Sequence, residues 1–377
     1  MVPARFFQLP SLKRLLFVHP PKSRPPPVAA FLYTVLHFCR RRRATLSFIF
    51  LLTWVFLDLD AYPVWWLSWL LYGPPTADEA LSHNCTKTDR AALRPLVVVV
   101  PLIASQLLRV DDALARWVSP SLAPCSHSHQ PVAHLSFFLD RAMSDEPTAR
   151  SARELRSMLQ RPRLAAVLHR CFAHVSIAFA NLSREQSTNS HSMDLVHNLV
   201  ITGGSNNQFE SAIHYYEKRF SHMLLVEPDV YSIRAGWVEQ ALEEAKYGTF
   251  WQRGATMRYA PRFNIGFAPF RARYQRHING NGLYRLSDRC FDHYRYLVRK
   301  RYGSAAYDVA MCQYRLSIEN LAVYQATAHR FQVSPMIVAV GVTRVDEDDL
   351  RNQFEEALLV HGKAKYVPFP ALNVMQY

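Results

Sequence analysis

The chain has 377 residues, a formal net charge of +14 and 49% apolar residues. This length and apolar content exclude a disordered chain and provide a sizeable core for one large domain or two ordinary ones. Glycine is scarce, with 12 residues, and neither GxGxxG nor GxxxxGK[ST] occurs. The dinucleotide-binding fingerprint and the P-loop are therefore excluded.

The basic excess lies near the N-terminus. Residues 1–43 carry nine Lys and Arg and no Asp or Glu, whereas the remaining 334 residues carry 35 basic and 30 acidic residues. A nucleic-acid-binding protein usually carries its basic excess on the folded domain. We therefore interpret residues 1–43 as a basic cytosolic tail and expect no nucleic-acid partner.

An apolar region over residues 44–73 follows four consecutive arginines, and a helix over about 44–64 is long enough to span a membrane. The positive-inside rule places the N-terminus in the cytosol and the rest in the lumen. No A-x-A cleavage pattern follows. We predict a single-pass type II protein of the Golgi or ER membrane, with residues 44–73 as its signal anchor in the lipid bilayer. A buried core helix followed by a loop is the alternative.

A polar stem is predicted over residues 74–94. Two sequons, at Asn84 and Asn181, favour a luminal location for the chain beyond the apolar region. Each triplet is common by chance, so the argument depends on the charge step at the apolar region.

Cysteine usage fits the same topology. Five of the six cysteines lie beyond the apolar region, and one of these five stays unpaired if the others bridge. None has the CxxC spacing of a zinc site. We predict a disulfide between Cys290 and Cys312, which flank a predicted helix over 288–302.

Strands and helices alternate from residue 95 onward. Strands are predicted at 96–100, 134–140, 174–182 and 222–227, and helices at 105–118, 151–170 (interrupted near Pro162), 207–219 and 234–246. This alternation predicts an α/β domain with a parallel sheet and helices on both faces. Because ligands of such sheets bind at the carboxyl ends of the strands, we expect the chemistry there.

The strongest candidate site follows the fourth strand. In LLVEPDV, Glu227 and Asp229 come directly after a buried run and are separated by Pro228. Two carboxylates two residues apart in an extended segment point the same way, so both can reach one hard cation. Such a cation suits a diphosphate ligand, because it neutralises charge on a nucleoside-diphosphate leaving group. An ordinary acidic turn is the alternative.

A histidine and a lysine late in the chain are further candidates. His361 ends an apolar run, and its imidazole is a good ligand for Mn²⁺. Lys363 can hold diphosphate oxygens as a point charge. A structural histidine is the alternative for His361.

Two segments between these motifs offer binding and catalytic candidates. The first consists of Asn279, Gly280, Asn281 and Gly282, which permit close backbone approach and positive φ, as a ligand-contacting turn needs. The second contains Asp308, a candidate general base or acceptor ligand. An ordinary tight turn and a helix N-cap are the respective alternatives.

Aromatic and basic residues provide weaker indications. The following residues either line a ligand site or belong to the core: Trp237, Trp251, His277 and Tyr284. The basic, aromatic segment 258–277 is predicted to be a loop over the site that orders when a ligand binds.

At these motifs the sequence resembles the GT-A glycosyltransferases. EPD looks like a variant of their metal-binding DxD motif, with Glu in the first position, and HINGNGLYRL (277–286) resembles the strand that follows it. LLVHGKAK (358–365) is similar to the late strand whose His completes the metal site. The strand ending in Pro101 is similar to the first strand, whose loop meets the nucleotide. EPDVxxxRxGW together with HINGNxLY also resembles a largely uncharacterised group of eukaryotic glycosyltransferase-like membrane proteins.

The resemblance, over about residues 95–365, implies a single GT-A-like domain over 95–377. It implies a metal-dependent enzyme of the secretory pathway that moves a sugar from a nucleotide-sugar donor to a glycan, protein or lipid acceptor. Mn²⁺ or Mg²⁺ would be held by Glu227, Asp229 and His361. Donor contacts would come from Pro101, Asn279, Gly280, Asn281, Gly282 and Lys363, and Asp308 would face the sugar or acceptor. A non-catalytic member of this fold and a structural membrane protein are the alternatives.

Overall fold

The computed structural model describes residues 94–126, 131–188, 193–194, 199–200, 203–256, 277–303, 305–316, 320–341 and 346–362. The predicted tail, membrane anchor and stem lie outside these residues, except that Arg94, the last residue of the predicted stem, begins the first strand. Asn84, Lys363 and the segment 258–276 also lie outside them. In the part of the chain that is described, no helix is long and apolar enough to cross a membrane.

Twelve strands are described. They are β1 (Arg94–Leu102), β2 (His134–Arg141), β3 (His174–Leu182), β4 (Met193–Asp194), β5 (Leu199–Val200), β6 (Phe220–Leu225), β7 (Val230–Ser232), β8 (Gln252–Thr256), β9 (Ile278–Arg285), β10 (Phe331–Val333), β11 (Ile337–Gly341) and β12 (Leu359–Gly362).

Ten α-helices are described with them. They are α1 (Leu107–Trp117), α2 (Glu146–Leu159), α3 (Pro162–Cys171), α4 (Arg184–Ser187), α5 (Gly203–Tyr216), α6 (Trp237–Tyr247), α7 (Arg289–Tyr302), α8 (Tyr307–Leu316), α9 (Leu321–Thr327) and α10 (Glu347–Gln353). Short 3₁₀ helices at Ala104–Gln106 and Ala328–Arg330 precede α1 and β10.

A seven-stranded sheet forms the centre, in the order β10-β8-β9-β6-β1-β2-β3. β1 pairs in parallel with both β2 and β6, and β2 pairs in parallel with β3. β9 is antiparallel to both of its neighbours, β6 and β8. The predicted α/β fold with a mostly parallel sheet is confirmed.

Alternate residues of β1 enter two separate cores, because successive side chains of a strand point to opposite faces. Leu96 and Val98 pack on one face with residues of α1, α2, α3 and α6. Val97 and Val99 pack on the other face with residues of α5, α7 and α8. The continuous run of valines in β1 is therefore buried from both sides, as the sequence predicts.

A second, smaller sheet has three strands in the order β11-β12-β7. Its strand β7 is the strand that follows β6 in the chain. β12 is parallel to β11 and antiparallel to β7. Arg234 ties this region together, since its guanidinium donates to the backbone carbonyls of Arg351, Phe354 and Ala357. The small sheet brings the late part of the chain beside the end of β6.

The predicted helix at 151–170 consists of two helices. α2 ends at Leu159 and α3 begins with Pro162, because proline lacks an amide hydrogen and clashes with the preceding turn of a helix but suits a first turn. Asp145 caps α2 by accepting a hydrogen bond from the amide of Thr148.

The disulfide prediction is wrong. Cys125 bonds to Cys171, with their Cα atoms 5.4 Å apart, and joins the segment after α1 to the end of α3. Cys290 is also disulfide-bonded, but Cys312 retains a buried thiol. Cys312 lies in α8 and is 4% exposed. The short spacing between Cys290 and Cys312 therefore did not identify a disulfide.

Candidate metal centre

Glu227 and Asp229 lie in the turn that connects the large sheet to the small one. The amide of Val226 still donates to the carbonyl of Val99 in β1, at 2.9 Å, and the chain then leaves the sheet. A tight turn follows, closed by the amide of Val230, which donates to the carbonyl of Glu227 at 2.9 Å. The expectation of an extended segment here is wrong, because Pro228 occupies the second position of this turn, where its fixed φ is favoured.

His361 reaches the same point from β12. The antiparallel register pairs His361 with Val230, the residue directly after Asp229. The imidazole Nε2 lies 3.3 Å from Oε2 of Glu227 and 3.5 Å from Oδ1 of Asp229. Ligand atoms of the three side chains all lie within 4.8 Å of one another, although His361 is far from the other two in sequence.

The charges of this cluster are strongly coupled. Burial lowers the pKa of His361, but the hydrogen bonds and negative charges of Asp229 and Glu227 outweigh it and raise the pKa to about 10. Burial likewise raises the pKa of Asp229, but the contact with His361 outweighs it, so the net shift is downward. The arrangement thus favours an ionised Asp229 in contact with His361.

Asn281 fixes the position of Glu227. Its side-chain amide donates to Oε2 of Glu227 at 2.8 Å, and its side-chain oxygen accepts from the backbone amide of Glu227 at 2.7 Å. Asn279 accepts hydrogen bonds from both the backbone and the side chain of Asn281. Asn281 is 1% exposed, so its rotamer is held by packing as well as by these bonds.

The predicted sugar-contacting turn at 279–282 is instead part of β9, and neither of its glycines has positive φ. These glycines are required by close packing. A Cβ atom on Gly280 would lie 2.3 Å from the hydroxyl of Tyr307, and one on Gly282 would lie 2.6 Å from the carbonyl of Arg253. Close backbone approach was the correct part of the prediction.

Asp308 lies behind this strand. Its Oδ2 accepts from the amide of Gly280 at 3.0 Å and lies 3.4 Å from Nε2 of His277, and its Oδ1 accepts from the amide of Val309. Burial raises the pKa of Asp308, but the charge and hydrogen bond of His277 outweigh it, and the net shift is downward. Asp308 is therefore an ionised carboxylate that joins α8 to β9, and its predicted catalytic role stays a prediction.

A cleft of about 180 Å³ opens beside the carboxylate pair at the carboxyl ends of β1, β2 and β6. Its lining includes Pro101, Asp140, Ser187, Gln208, Glu227 and Asp229. Of the predicted donor contacts, Pro101 lies directly in this lining and Asn281 contacts it through Glu227.

Asp140, Ser187 and Gln208 were not predicted. Ser187 donates a short hydrogen bond to the carboxylate of Asp140, and burial raises the pKa of that carboxylate. Gln208 of α5 donates to the carbonyls of Leu102 and Phe138, near the ends of β1 and β2. A signal for Asp140 exists in the sequence, because it ends the strand HLSFFLD just as Glu227 follows its own strand.

The aromatic candidates belong to the core. Trp237 and Tyr284 are fully buried, and Trp251 is 2% exposed. Trp237 packs against Trp117, with ring centroids 5.4 Å apart. His277 is buried beside Asp308.

Comparison with known proteins gives a limited result. No protein-family model and no curated protein matches the chain. The similar solved structures include mouse xyloside xylosyltransferase 1 in its apo form, at 11% identity and a TM-score of 0.40, over 71% of this chain and 97% of that one.

Two further glycosyltransferase structures are similar. The bifunctional glycosyltransferase WbbM is 8% identical, with a TM-score of 0.39, over 73% of this chain and 46% of that one. The galactosyltransferase LgtC with donor and acceptor sugar analogs is 10% identical, with a TM-score of 0.39, over 71% of this chain and 87% of that one. Similarity at this level does not identify a family or an activity.

Proposed function

We propose that the cleft binds a nucleotide-sugar through a divalent cation and that the protein transfers the sugar to a hydroxyl group of a glycan, protein or lipid acceptor. One observation carries the proposal. The ligand atoms of Glu227, Asp229 and His361 lie within 4.8 Å of one another at the rim of a cleft at the carboxyl edge of the sheet. That edge is where α/β sheets bind their ligands.

The donor set fits a hard or borderline cation. The two carboxylates suit Mn²⁺ or Mg²⁺, which both prefer oxygen ligands, and the imidazole favours Mn²⁺, the softer of the two. Three protein ligands leave coordination positions for diphosphate oxygens. When bound, such a cation would neutralise the charge that develops on the nucleoside-diphosphate leaving group.

The cleft offers a second feature suited to phosphate. Gly204 and Ser205, in the first turn of α5, are among its lining residues. The N-terminus of a helix carries partial positive charge and unpaired backbone amides, both of which favour phosphate oxygens. Gly204 has no side chain, so nothing but its backbone lies between this turn and a ligand.

Transfer also requires removal of a proton from the acceptor hydroxyl. Asp308 is the candidate general base if the reaction inverts configuration. Its carboxylate is held by Gly280, Val309 and His277, so a positioning role is the competing assignment. A retaining reaction, in which the leaving phosphate assists, needs no such base.

The proposal includes a secretory location. A disulfide between Cys125 and Cys171 and a bonded Cys290 support an oxidising compartment. Asn181 is exposed at the end of β3, where a glycan can be attached. We therefore propose a type II orientation in the Golgi or ER, with residues 44–73 in the membrane.

The test is a binding and turnover panel on the full-length protein in detergent. Nucleoside diphosphates and nucleotide-sugars are titrated with Mn²⁺ and with chelator, and release of nucleoside diphosphate is then followed. We expect binding that needs Mn²⁺, and we expect Glu227→Gln and Asp229→Asn each to weaken Mn²⁺ binding at least about 100-fold, because each removes a charged ligand.

The matched control is Glu146→Gln, which changes the charge equally at an exposed pair with Arg153 in α2. It should leave binding unchanged. Nucleotide binding that is indifferent to chelator and to both site substitutions would refute the metal site. Binding without turnover of any donor and acceptor pair would instead make the protein a non-catalytic partner of another enzyme.

A further inference from the structure

Four basic side chains meet at the amino edge of the central sheet, opposite the metal centre. They are Arg94 of β1, His134 of β2, His174 of β3 and Arg219, which directly precedes β6. The parallel register places His134 and His174 directly opposite each other. Arg94 is opposite Phe220, the residue that follows Arg219. These four residues are called the amino-edge cluster.

Direct contacts join the cluster. Nη1 of Arg94 lies 3.4 Å from Nδ1 of His134, and the rings of His134 and His174 have centroids 5.5 Å apart. The guanidinium of Arg94 also lies over the ring of Phe220, at 5.9 Å. The guanidinium of Arg219 lies 4.2 Å from the ring of Tyr215. Aromatic rings hold both arginines in place while their charges stay unneutralised.

The cluster lacks the carboxylates that neutralise other arginines of the domain. The following arginines each have a carboxylate oxygen within 2.9 Å: Arg116, Arg141, Arg161, Arg253, Arg295 and Arg351. Within the described residues, no carboxylate forms an ion pair with Arg94, Arg219 or either histidine of the cluster. Glu217, close to Arg219 in sequence, contacts His214 at 3.3 Å.

The electrostatic consequence appears at His134. Burial lowers the pKa of His134, and the charges of Arg94, His174 and Arg219 lower it further. Every charged group that acts on this imidazole is thus basic, and they come from three different elements. A bound anion would reverse this balance, because an opposite charge at short range favours the protonated ring.

We propose that the amino-edge cluster is a binding site for a tetrahedral oxyanion, either a phosphomonoester or a sulfate ester. Arg94, His134 and His174 line an open depression of about 580 Å³, together with Val132 and Ala173. Arg219 lies beside it, where its backbone carbonyl accepts from the amide of Arg94 at 3.1 Å. Arg94 and Arg219 supply permanent charge and several donors, and the two histidines add donors when protonated. The site lies at the end of the sheet opposite the cleft and is independent of the proposed transfer reaction.

The pH dependence follows from the same geometry. In the structure Nδ1 of His134 faces a donor, Arg94, so the imidazole acts as an acceptor. After protonation the ring can only donate, and an oxyanion becomes its natural partner. Binding of an anion with constant charge is therefore expected to strengthen as the pH falls.

The primary test measures sulfate binding to the full-length protein in detergent by thermal unfolding, at ionic strength matched with chloride. Sulfate remains a dianion across the tested range, so any pH dependence belongs to the protein. We expect sulfate to raise the unfolding midpoint, with higher affinity at about pH 5.5 than at about pH 7.5. Equal midpoints in sulfate and chloride at both values would overturn the proposal.

A double substitution assigns the effect to the cluster. Arg94→Gln combined with His174→Gln should weaken sulfate roughly 10- to 100-fold, since two charged donors are lost. The control is Arg153→Gln combined with His293→Gln, on the exposed faces of α2 and α7. Because sulfate also stabilises proteins by exclusion from their surface, the control defines that background. A cluster variant with a weaker sulfate response than the control supports the site, and one that responds like the native protein refutes it.

A second experiment distinguishes two sources of the anion, a lipid headgroup and a soluble ligand. The protein is placed in nanodiscs of phosphatidylcholine, with or without phosphatidic acid, and soluble glycerol phosphate is added to both. Stabilisation by phosphatidic acid, lost in the cluster variant, identifies a lipid headgroup. Stabilisation by glycerol phosphate alone identifies a soluble ligand. Stabilisation by neither, in native protein, contradicts the proposal.

Discussion

The two edges of the central sheet carry opposite charge. At the carboxyl edge, Glu227, Asp229 and Asp140 line a cleft, and the imidazole of His361 lies beside Glu227 and Asp229. At the amino edge, Arg94 and Arg219 stand beside two histidines with no carboxylate among their described contacts. One sheet thus carries a candidate cation site at one end and a candidate anion site at the other.

This difference shows how little net charge reveals about a site. The chain's formal charge of +14 arises mainly from residues 1–43, which lie outside the described domain. Within the domain the charges are nearly balanced but are separated by position along the strands. The arrangement of strand ends, and not the composition, creates both candidate sites.

Among the predictions that test this contrast between the two edges, the largest effect is expected at Asn281. This residue orients Glu227 but is not itself a candidate metal ligand. Asn281→Ala removes two hydrogen bonds to Glu227, so we expect Mn²⁺ affinity to fall roughly 10- to 100-fold, as for other partners of metal ligands. Calorimetric titration of Mn²⁺ measures this loss.

Asn320→Ala provides the matched control, because it removes one hydrogen bond to the carbonyl of Tyr314. Unfolding in excess chelator, measured for both variants, separates a loss of stability from a loss of affinity. If Asn281→Ala binds Mn²⁺ as tightly as the control does, Glu227 does not depend on this support and the carboxyl edge is less organised than we infer.

A second prediction concerns acid stability near the amino edge. His222 of β6 is opposite Leu96 and Arg285, and it is 8% exposed. Burial lowers its pKa from 6.5 to about 4, and the charge of Arg285 contributes. Because the unfolded chain binds this proton more readily, the stabilising contribution is complete above pH 6.5 and is lost as the pH falls toward 4.

At about pH 5 this loss amounts to roughly 2 kcal/mol of unfolding free energy relative to neutral pH. His222→Gln should remove that part of the pH dependence, and His214→Gln, at an exposed position, should not. Denaturant unfolding at both pH values measures the difference. If the unfolding free energies of the native protein and of His222→Gln depend on pH in the same way, protonation of the buried His222 does not destabilise the fold and the prediction is wrong.

The sequence predicted the carboxyl edge better than the amino edge, for a physical reason. Glu227 and Asp229 are neighbours in the chain and follow an apolar strand, so their proximity needs no knowledge of the fold. The sequence also offered His361 as a candidate ligand, but only the resemblance placed it beside these carboxylates. The reason is that β12 lies in a second sheet, whose pairing with β7 cannot be predicted from periodicity.

The amino-edge cluster was missed because its four members come from four separate segments. Each looks like an ordinary surface charge at the start of a strand. A signal was present, since the predicted strands at 134–140 and 174–182 both begin at a histidine, and Arg94 lies two residues before the strand predicted at 96–100. Parallel strands bring their starts together, so the register would have predicted the cluster.

The polar contacts of β9 also could not be predicted from the sequence. The glycines at 280 and 282 predicted a turn, yet they serve close packing within a strand. Asn281 looked like one donor contact among several, but its two hydrogen bonds make it the support of Glu227. Such roles depend on which side chains of neighbouring elements face β9.

The smallest predicted effect separates the two possible roles of Asp308. If Asp308 positions β9, Asp308→Asn should weaken Mn²⁺-dependent nucleotide binding by up to about tenfold and change kcat little, because one hydrogen bond to Gly280 is weakened. His277→Gln should have a similar effect, since His277 holds the same carboxylate.

A role as general base predicts a different pattern, with kcat falling about 10²- to 10⁴-fold while donor binding is retained. The carboxylate of Asp308 is already engaged in three contacts, and its pKa is lowered. We therefore expect the positioning pattern. Separate determination of kcat and KM for both variants decides between them, and a selective loss of kcat in Asp308→Asn would restore the assignment as general base.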